Sequence, residues 1–351
     1  VGNELTWVII KLMAAEIPTM KEIAKKLGIS TSSVSRALHN HPSIGLRTRM
    51  RVNELAKELD YELNQTAIFF HNKKTFTVGV ILPQLTETFF SEAISGIEDI
   101  ANKNKYTVLV GQSHNNEERE KAIIQTMKEH RVDGFIISIS KNTTHYEHFE
   151  MLKKHNIPMV FFDCIPQMKN INTVECNIET GTIKAVTLLL KKGYRIIGLI
   201  NGPERLLASK QRLDGYKLAI HKHRLKYDPN LVINTDLTTI GTQNAMLQLL
   251  KYKRVPTAIL TFNDYVALDA VQYARKNNVM ASSEISFVSF ANLPSNCYTS
   301  YPPIASIEQF PYQQGQKSME TLLQILADPK KENNGLKTII EPQLVVNDIL
   351  S

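Results

Sequence analysis

The chain has 351 residues, 43% of them hydrophobic, and a formal net charge of +7. That length and apolar content suit a small domain of about sixty residues beside a larger one with its own core, and they exclude a disordered chain. No apolar run approaches the ~20 residues needed to span a bilayer. Cys164, Cys176 and Cys297 are odd in number and lack the close paired spacing of a zinc ribbon, so they read as buried or free thiols in a reducing compartment. His145 and His148 lie three apart with no further ligand nearby, and a solvated loop or helix face is the expected role. Neither a metal site nor a cofactor is expected.

Residues 1–18 carry an apolar stretch, Leu5 to Ile10, but no basic segment precedes it as in a signal peptide. They are set apart as an extension, with Met13 as an alternative start. Thr19 then reads as an N-cap, Met20 to Leu27 as a helix with Ile23, Ala24 and Leu27 on one face, and Gly28 as its stop. Ser30 or Thr31 caps a second helix through Leu38, with Val34, Ala37 and Leu38 inward and Thr31, Ser32, Ser33, Ser35 and Arg36 outward. A third helix over about Thr48 to Leu59 closes a small core that Tyr61 caps. This is the helix-turn-helix pattern, although small amphipathic bundles of other function share its periodicity. Residues 20–75 hold ten Lys or Arg against five Asp or Glu, a local surplus that suits phosphate contacts.

From Thr75 onward apolar strand-like runs alternate with helical stretches: Phe76 to Leu82, Tyr106 to Val110, Gly134 to Ile139 and Pro158 to Phe162. A second set follows at Ile196 to Ile200, Leu231 to Ile233, Ala258 to Phe262 and Ile285 to Phe290. Such alternation predicts an α/β class with two doubly wound units. Ligands sit beyond the carboxyl ends of such strands, so two units facing each other create a cleft there. There is no Gly-rich phosphate loop, no Gly-x-Ser-x-Gly elbow and no HExxH, and no enzyme is expected.

The wording of these segments resembles the lactose-repressor (LacI/GalR) family of transcriptional regulators. The likeness runs through Thr19 to Ser30, Ser33-Val34-Ser35-Arg36-Ala37-Leu38, Thr48-Arg49, Leu59-Asp60-Tyr61, Asn64 and Ala67. It continues at Val78-Gly79-Val80, Val132-Asp133-Gly134, Lys192-Gly193-Tyr194, Arg212-Leu213-Asp214-Gly215-Tyr216 and Asn263-Asp264. The resemblance implies an all-α helix-turn-helix DNA-binding domain (19–62), a hinge helix and linker (63–74), and an effector-binding and dimerisation domain (75–351). That last domain would be periplasmic-binding-protein-like, with one lobe at 75–174 plus 308–340 and the other at 178–304. Three crossings are expected near 173–179, 304–310 and 339–344, after which the C-terminal tail returns to the first lobe.

By resemblance, Thr31, Ser32, Ser33 and Arg36 meet DNA on the second helix. Arg36 is suited to two acceptors on a guanine edge, with a phosphate clamp as the alternative. Asn64, Ala67 and Phe70 match the hinge helix, where Phe70 stands in place of the usual Leu as a minor-groove wedge. Phe89, in the loop after the first strand, Asp163, Arg212, Asn263 and Gln309 match effector-facing positions. Two departures matter: Ala291 replaces a family carboxylate, and Leu237 an aromatic residue that stacks on the ligand. Loss of that carboxylate beside Arg212 favours an anionic effector such as a sugar acid. The expectation is a cytoplasmic, nucleoid-associated repressor of carbohydrate-use genes that binds double-stranded operator DNA as a homodimer, with a tetramer left open, under control of a sugar or sugar derivative. A regulator controlled by a partner protein and an exported solute-binding protein are the alternatives.

Overall fold

The computed structural model describes residues 18–61, 74–277, 285–329 and 335–347. The chain divides into two compact units at Lys73 and Lys74. In the first, helix α1 spans Met20–Leu27, α2 Thr31–Leu38 and α3 Leu46–Glu58. Thr19 caps α1 by accepting the Glu22 N–H at 3.3 Å, and Gly28 ends it at φ 64°, a left-handed conformation that costs glycine little. α3 begins two residues before Thr48, because Gly45 supplies the extended N-cap and Leu46 and Arg47 are good helix formers. Ile23, Ala24, Val34, Ala37, Val52 and Ala56 form the buried core, with Leu38 and Tyr61 packed at its margin.

The second unit holds two six-stranded sheets. Sheet A contains β1 Thr77–Leu82, β2 Thr107–Gln112, β3 Gly134–Ile137, β4 Met159–Phe162, β5 Asn172–Cys176 and β11 Lys337–Ile340, in the order β11-β5-β4-β3-β1-β2. Sheet B contains β6 Ile197–Asn201, β7 Val232–Asn234, β8 Ala258–Thr261, β9 Ser286–Phe290, β10 Ala305–Glu308 and β12 Gln343–Val346, in the order β12-β10-β9-β8-β6-β7. Helices α4 Thr88–Lys103, α5 Glu117–Glu129, α6 Glu147–Lys154 and α11 Pro311–Ala327 accompany sheet A; α7 Ile178–Lys191, α8 Leu207–Lys222, α9 Thr239–Lys251 and α10 Asp264–Lys276 accompany sheet B.

Both faces of each sheet are covered, which explains why the strands read as continuous apolar runs. On sheet A, Val78, Val80, Leu82, Val160 and Phe162 enter one core cluster while Ile81, Phe135, Ile137 and Phe161 enter the other. α4 and α11 touch backbone to backbone: a Cβ at Gly96 would lie 2.1 Å from the Tyr312 carbonyl oxygen, so only glycine fits. That contact seats α11 on the first lobe directly after the chain returns from β10.

The chain passes between the sheets at residue 177 (β5 to α7), at 309–310 (β10 to α11) and at 341–342 (β11 to β12). Two features differ from the sequence reading. The tail does not return to the first lobe: β12 pairs antiparallel with β10, Ala305 opposite Val346 and Glu308 opposite Gln343, so the chain through Val346 completes sheet B. His148 is buried, not solvated, because its Nε2 meets the fully buried Glu120 carboxylate at 3.1 Å. No helix among the described residues is long and apolar enough to cross a membrane.

Candidate nucleic-acid interface and ligand cleft

The helix-turn-helix unit presents α2 with its N-terminus outward. Ser30 caps it by accepting the Ser33 N–H at 3.1 Å, and its hydroxyl also meets the hydroxyls of Ser32 at 2.8 Å and Ser33 at 2.9 Å. Ser32 and Ser33 are therefore tied into the cap, which restrains their side chains, while Thr31 and Arg36 are exposed. Val34 and Ala37 anchor the opposite face in the core. Residues 18–61 hold eight Lys or Arg against four Asp or Glu, so the exposed helix belongs to a cationic body. Asn64, Ala67 and Phe70 lie outside the described residues.

In the second unit a cavity of about 750 Å³ opens between the sheets and is lined by Phe89, Asp163, Arg212, Asn263 and Gln309 together. Phe89 is not in a loop after the first strand, as its place in the sequence suggests. It is the second residue of α4, since the helix starts at Thr88, and it turns inward to pack edge-on against Phe90. Asp163 follows β4 at φ 56°, a left-handed conformation that Asp tolerates, and its Oδ2 accepts from the Ser138 hydroxyl at 3.4 Å. Asn263 is also the N-cap of α10, its Oδ1 accepting the Val266 N–H at 3.0 Å, which leaves its amide N–H groups for a ligand. Ala291 at φ 95° and Leu237 at φ 63° line the same cavity.

Arg212 is 2% exposed, and its guanidinium lies between the rings of Phe262 (3.9 Å) and Phe290 (4.3 Å). Nη1 donates to the Ala208 carbonyl at 3.1 Å, but the buried Nε has no partner. Burial pulls its pKa down to about 10, against the opposing pull of Asp163. An orphaned donor on a buried cation is a cost to folding, so Arg212 is held at this cavity wall against its own burial penalty.

Residues that the sequence reading missed also meet here. Glu87 precedes α4 without capping it by a side-chain hydrogen bond, and burial, with Asp163 nearby, pushes its carboxyl up to about 7. Burial raises Asp163 as well. Lys141, Cys164 and Cys176 complete this part of the wall. No motif marks these positions; the one available signal was their place just after strands or just before a helix. Asp264, fully buried behind Asn263, organises the loop after β9. It accepts from Leu293 N at 2.7 Å, Asn296 Nδ2 at 2.9 Å, Ser306 Oγ at 2.9 Å and Ser289 Oγ, yet burial still holds its pKa at about 6. The three cysteines are free thiols.

Residues 19–64 match the family model of bacterial regulatory proteins of the lacI family, and residues 75–347 match that of periplasmic binding proteins and the sugar binding domain of the LacI family. The chain belongs to the LacI family. It is 31% identical to the transcriptional repressor CytR of Escherichia coli K12 over 305 residues, covering 87% of this chain and 89% of CytR. It is 27% identical to the repressor PurR of Vibrio atlanticus over 328 residues, covering 93% of this chain and 97% of PurR. In fold it is similar to the lac repressor dimer bound to operator and the anti-inducer ONPF, with a TM-score of 0.79 at 24% identity, across 96% of this chain and 100% of that one. This LacI-family chain thus pairs a helix-turn-helix unit with a two-lobed sugar-binding-type body, and its cleft carries the wall residues described above.

Proposed function

We propose that the protein is a dimeric, sequence-specific repressor whose operator affinity is set by a small polyhydroxylated effector in the cleft. Arg36 reads a base edge in each half-site, Thr31 contributes a short hydroxyl contact, and two heads on a two-fold site provide useful specificity. The observation that carries the effector reading is Arg212, a buried cation at the wall of a cavity of about 750 Å³ that also holds Asp163, Asn263 and Gln309. Such a mixture of donors and acceptors around apolar rings suits a sugar's hydroxyls and its ring faces.

The lining favours a neutral polyol over the sugar acid expected from the loss of a carboxylate at Ala291. Glu87 and Asp163 both face the cavity, and Asp163 adds to the burial that pushes the Glu87 carboxyl up to about 7. A ligand carboxylate brought to Arg212 would meet two further acidic groups, whereas hydroxyls can donate to a carboxylate and accept from a protonated carboxyl. A thermal-shift screen of matched pairs, a hexose or pentose against its uronic or aldonic acid, tests this reading because bound ligand raises stability by mass action. Stabilisation by neutral members is expected. Stabilisation by the acids alone would overturn the preference, and no response to any sugar would overturn the effector class.

A further inference from the structure

Besides the three chain crossings, the lobes are joined by side chains that reach across the cleft. From the first lobe, Lys141 Nζ donates to the Asp236 carbonyl at 2.7 Å, and Gln167 Nε2 to the Arg205 carbonyl at 3.3 Å. From the second, Arg205 Nε donates to the Lys141 carbonyl at 2.6 Å and Nη2 to Asn142 Oδ1 at 2.5 Å. Lys141, Asp163, Cys164 and Leu206 line both the main cavity and a neighbouring one of about 340 Å³ that Arg205 also lines, so these bonds stand where the two cavities meet.

Each half is preset by its own lobe. The loop carrying Lys141 and Asn142 is pinned to the start of α5: Glu120 Oε2 accepts the Ser140 N–H at 2.7 Å, Glu117 Oε2 accepts the Thr144 N–H at 2.8 Å, and Asn142 Nδ2 donates to the Asn115 carbonyl at 2.7 Å. Across the cleft, Asp236 Oδ1 accepts from Thr238 N at 3.0 Å and Thr238 Oγ1 at 2.7 Å, which fixes the turn that presents the Asp236 carbonyl. Contacts between preset partners lose little conformational entropy on forming. They also demand one relative placement of the lobes, because their acceptors include three backbone carbonyls, those of Asp236, Arg205 and Lys141.

We propose that Arg205, Lys141 and Asn142 form a latch that holds the lobes closed, and that its opening controls access to the cleft. Two native thiols report on it without any ligand. Cys164 lines both cavities and Cys176 the main one alone, whereas Cys297 is exposed. Burial keeps the first two thiols protonated and slow to react while the lobes are closed.

The test is the rate of modification of each cysteine by 5,5′-dithiobis(2-nitrobenzoate) in the full chain, read by peptide mass. Arg205→Ala should speed both Cys164 and Cys176 by about tenfold, equivalent to about 1.4 kcal/mol, with Cys297 unchanged. Arg205→Lys, which keeps the charge but loses the paired geometry, and Asn142→Ala should each give a smaller acceleration. Asn142→Ala should add little on top of Arg205→Ala, because the two share a bond. Acceleration of Cys164 alone would show that Arg205 merely covers that thiol and would overturn the latch. Unchanged rates in Arg205→Lys and Asn142→Ala would overturn it too, whatever Arg205→Ala does to folding.

Discussion

Replacing Arg212 by Met separates binding from stability. Burial lowers the guanidinium pKa from 12.5 to about 10. At 1.36 kcal/mol per unit the folded state disfavours that charge by about 3 kcal/mol relative to the unfolded chain. The sign follows from a depressed base: the cost is present at every pH well below 10, including pH 7. Opposing it are the two ring contacts, each worth about 0.5–2 kcal/mol, and the Ala208 hydrogen bond, worth about 1 kcal/mol. Met keeps much of the volume and its sulfur packs well against Phe262 and Phe290, while Asp163, deprived of its counter-charge, takes up a proton more readily. The net change in unfolding free energy is expected to lie within about 1 kcal/mol of zero. Urea unfolding of the full chain at pH 7 measures it, and a thermal-shift screen on the same variant should show the effector response lost. A loss of more than about 3 kcal/mol with the effector response retained would refute the reasoning, because Arg212 would then be a structural cation.

Arg36→Ala should cost about 1–3 kcal/mol in discrimination at one base pair per half-site, read by binding to a panel of single-base operator variants. Equal weakening on every sequence would make Arg36 a phosphate clamp. Ala291→Gly should stabilise the body by about 0.5–1 kcal/mol in urea unfolding, because Ala291 is held at φ 95° where glycine is unstrained; a loss of stability would show that the Ala291 methyl packs usefully. Asp264 has a folded-state pKa of about 6, above its ordinary 3.8. Its protonated form is therefore favoured by folding, and the stability it contributes is present below pH 4 and lost as the pH rises through 6. Asp264→Asn should flatten stability across that window, and an unchanged pH profile would remove Asp264 as its source.

The parts of the fold legible in the sequence were those with strong local signals. Thr19, Gly28 and Ser30 mark helix ends by cap chemistry, and buried strands such as Val78 to Leu82 announce themselves by unbroken apolar runs. β5, β10, β11 and β12 were hidden because Asn172, Thr173 and Glu175, or Lys337 and Gln343, interrupt the apolar pattern at edges and crossings. There the partner strand, not the local sequence, decides the conformation. The same reason misplaced the tail, since the antiparallel pairing of Gln343–Val346 with Ala305–Glu308 is a contact across some forty residues. At the cleft, resemblance named Arg212 and its neighbours, and the fold brought them to one cavity. Glu87 and Lys141 carried no motif, and their relevance emerges only where sheet A and sheet B face each other. Ser32 and Ser33 show the converse: resemblance sets them toward DNA, while the folded helix ties their hydroxyls to its own cap.

The most direct test of the account is the affinity of the full-length protein for an operator selected from random duplex DNA, measured by fluorescence anisotropy with and without a neutral sugar that raises its melting temperature. A pseudo-palindromic site, steep salt dependence, and an operator affinity that changes with the sugar in the unaltered protein but not in Arg212→Met are expected. Tight sugar binding with no change in operator affinity, or no sequence preference at all, would contradict it.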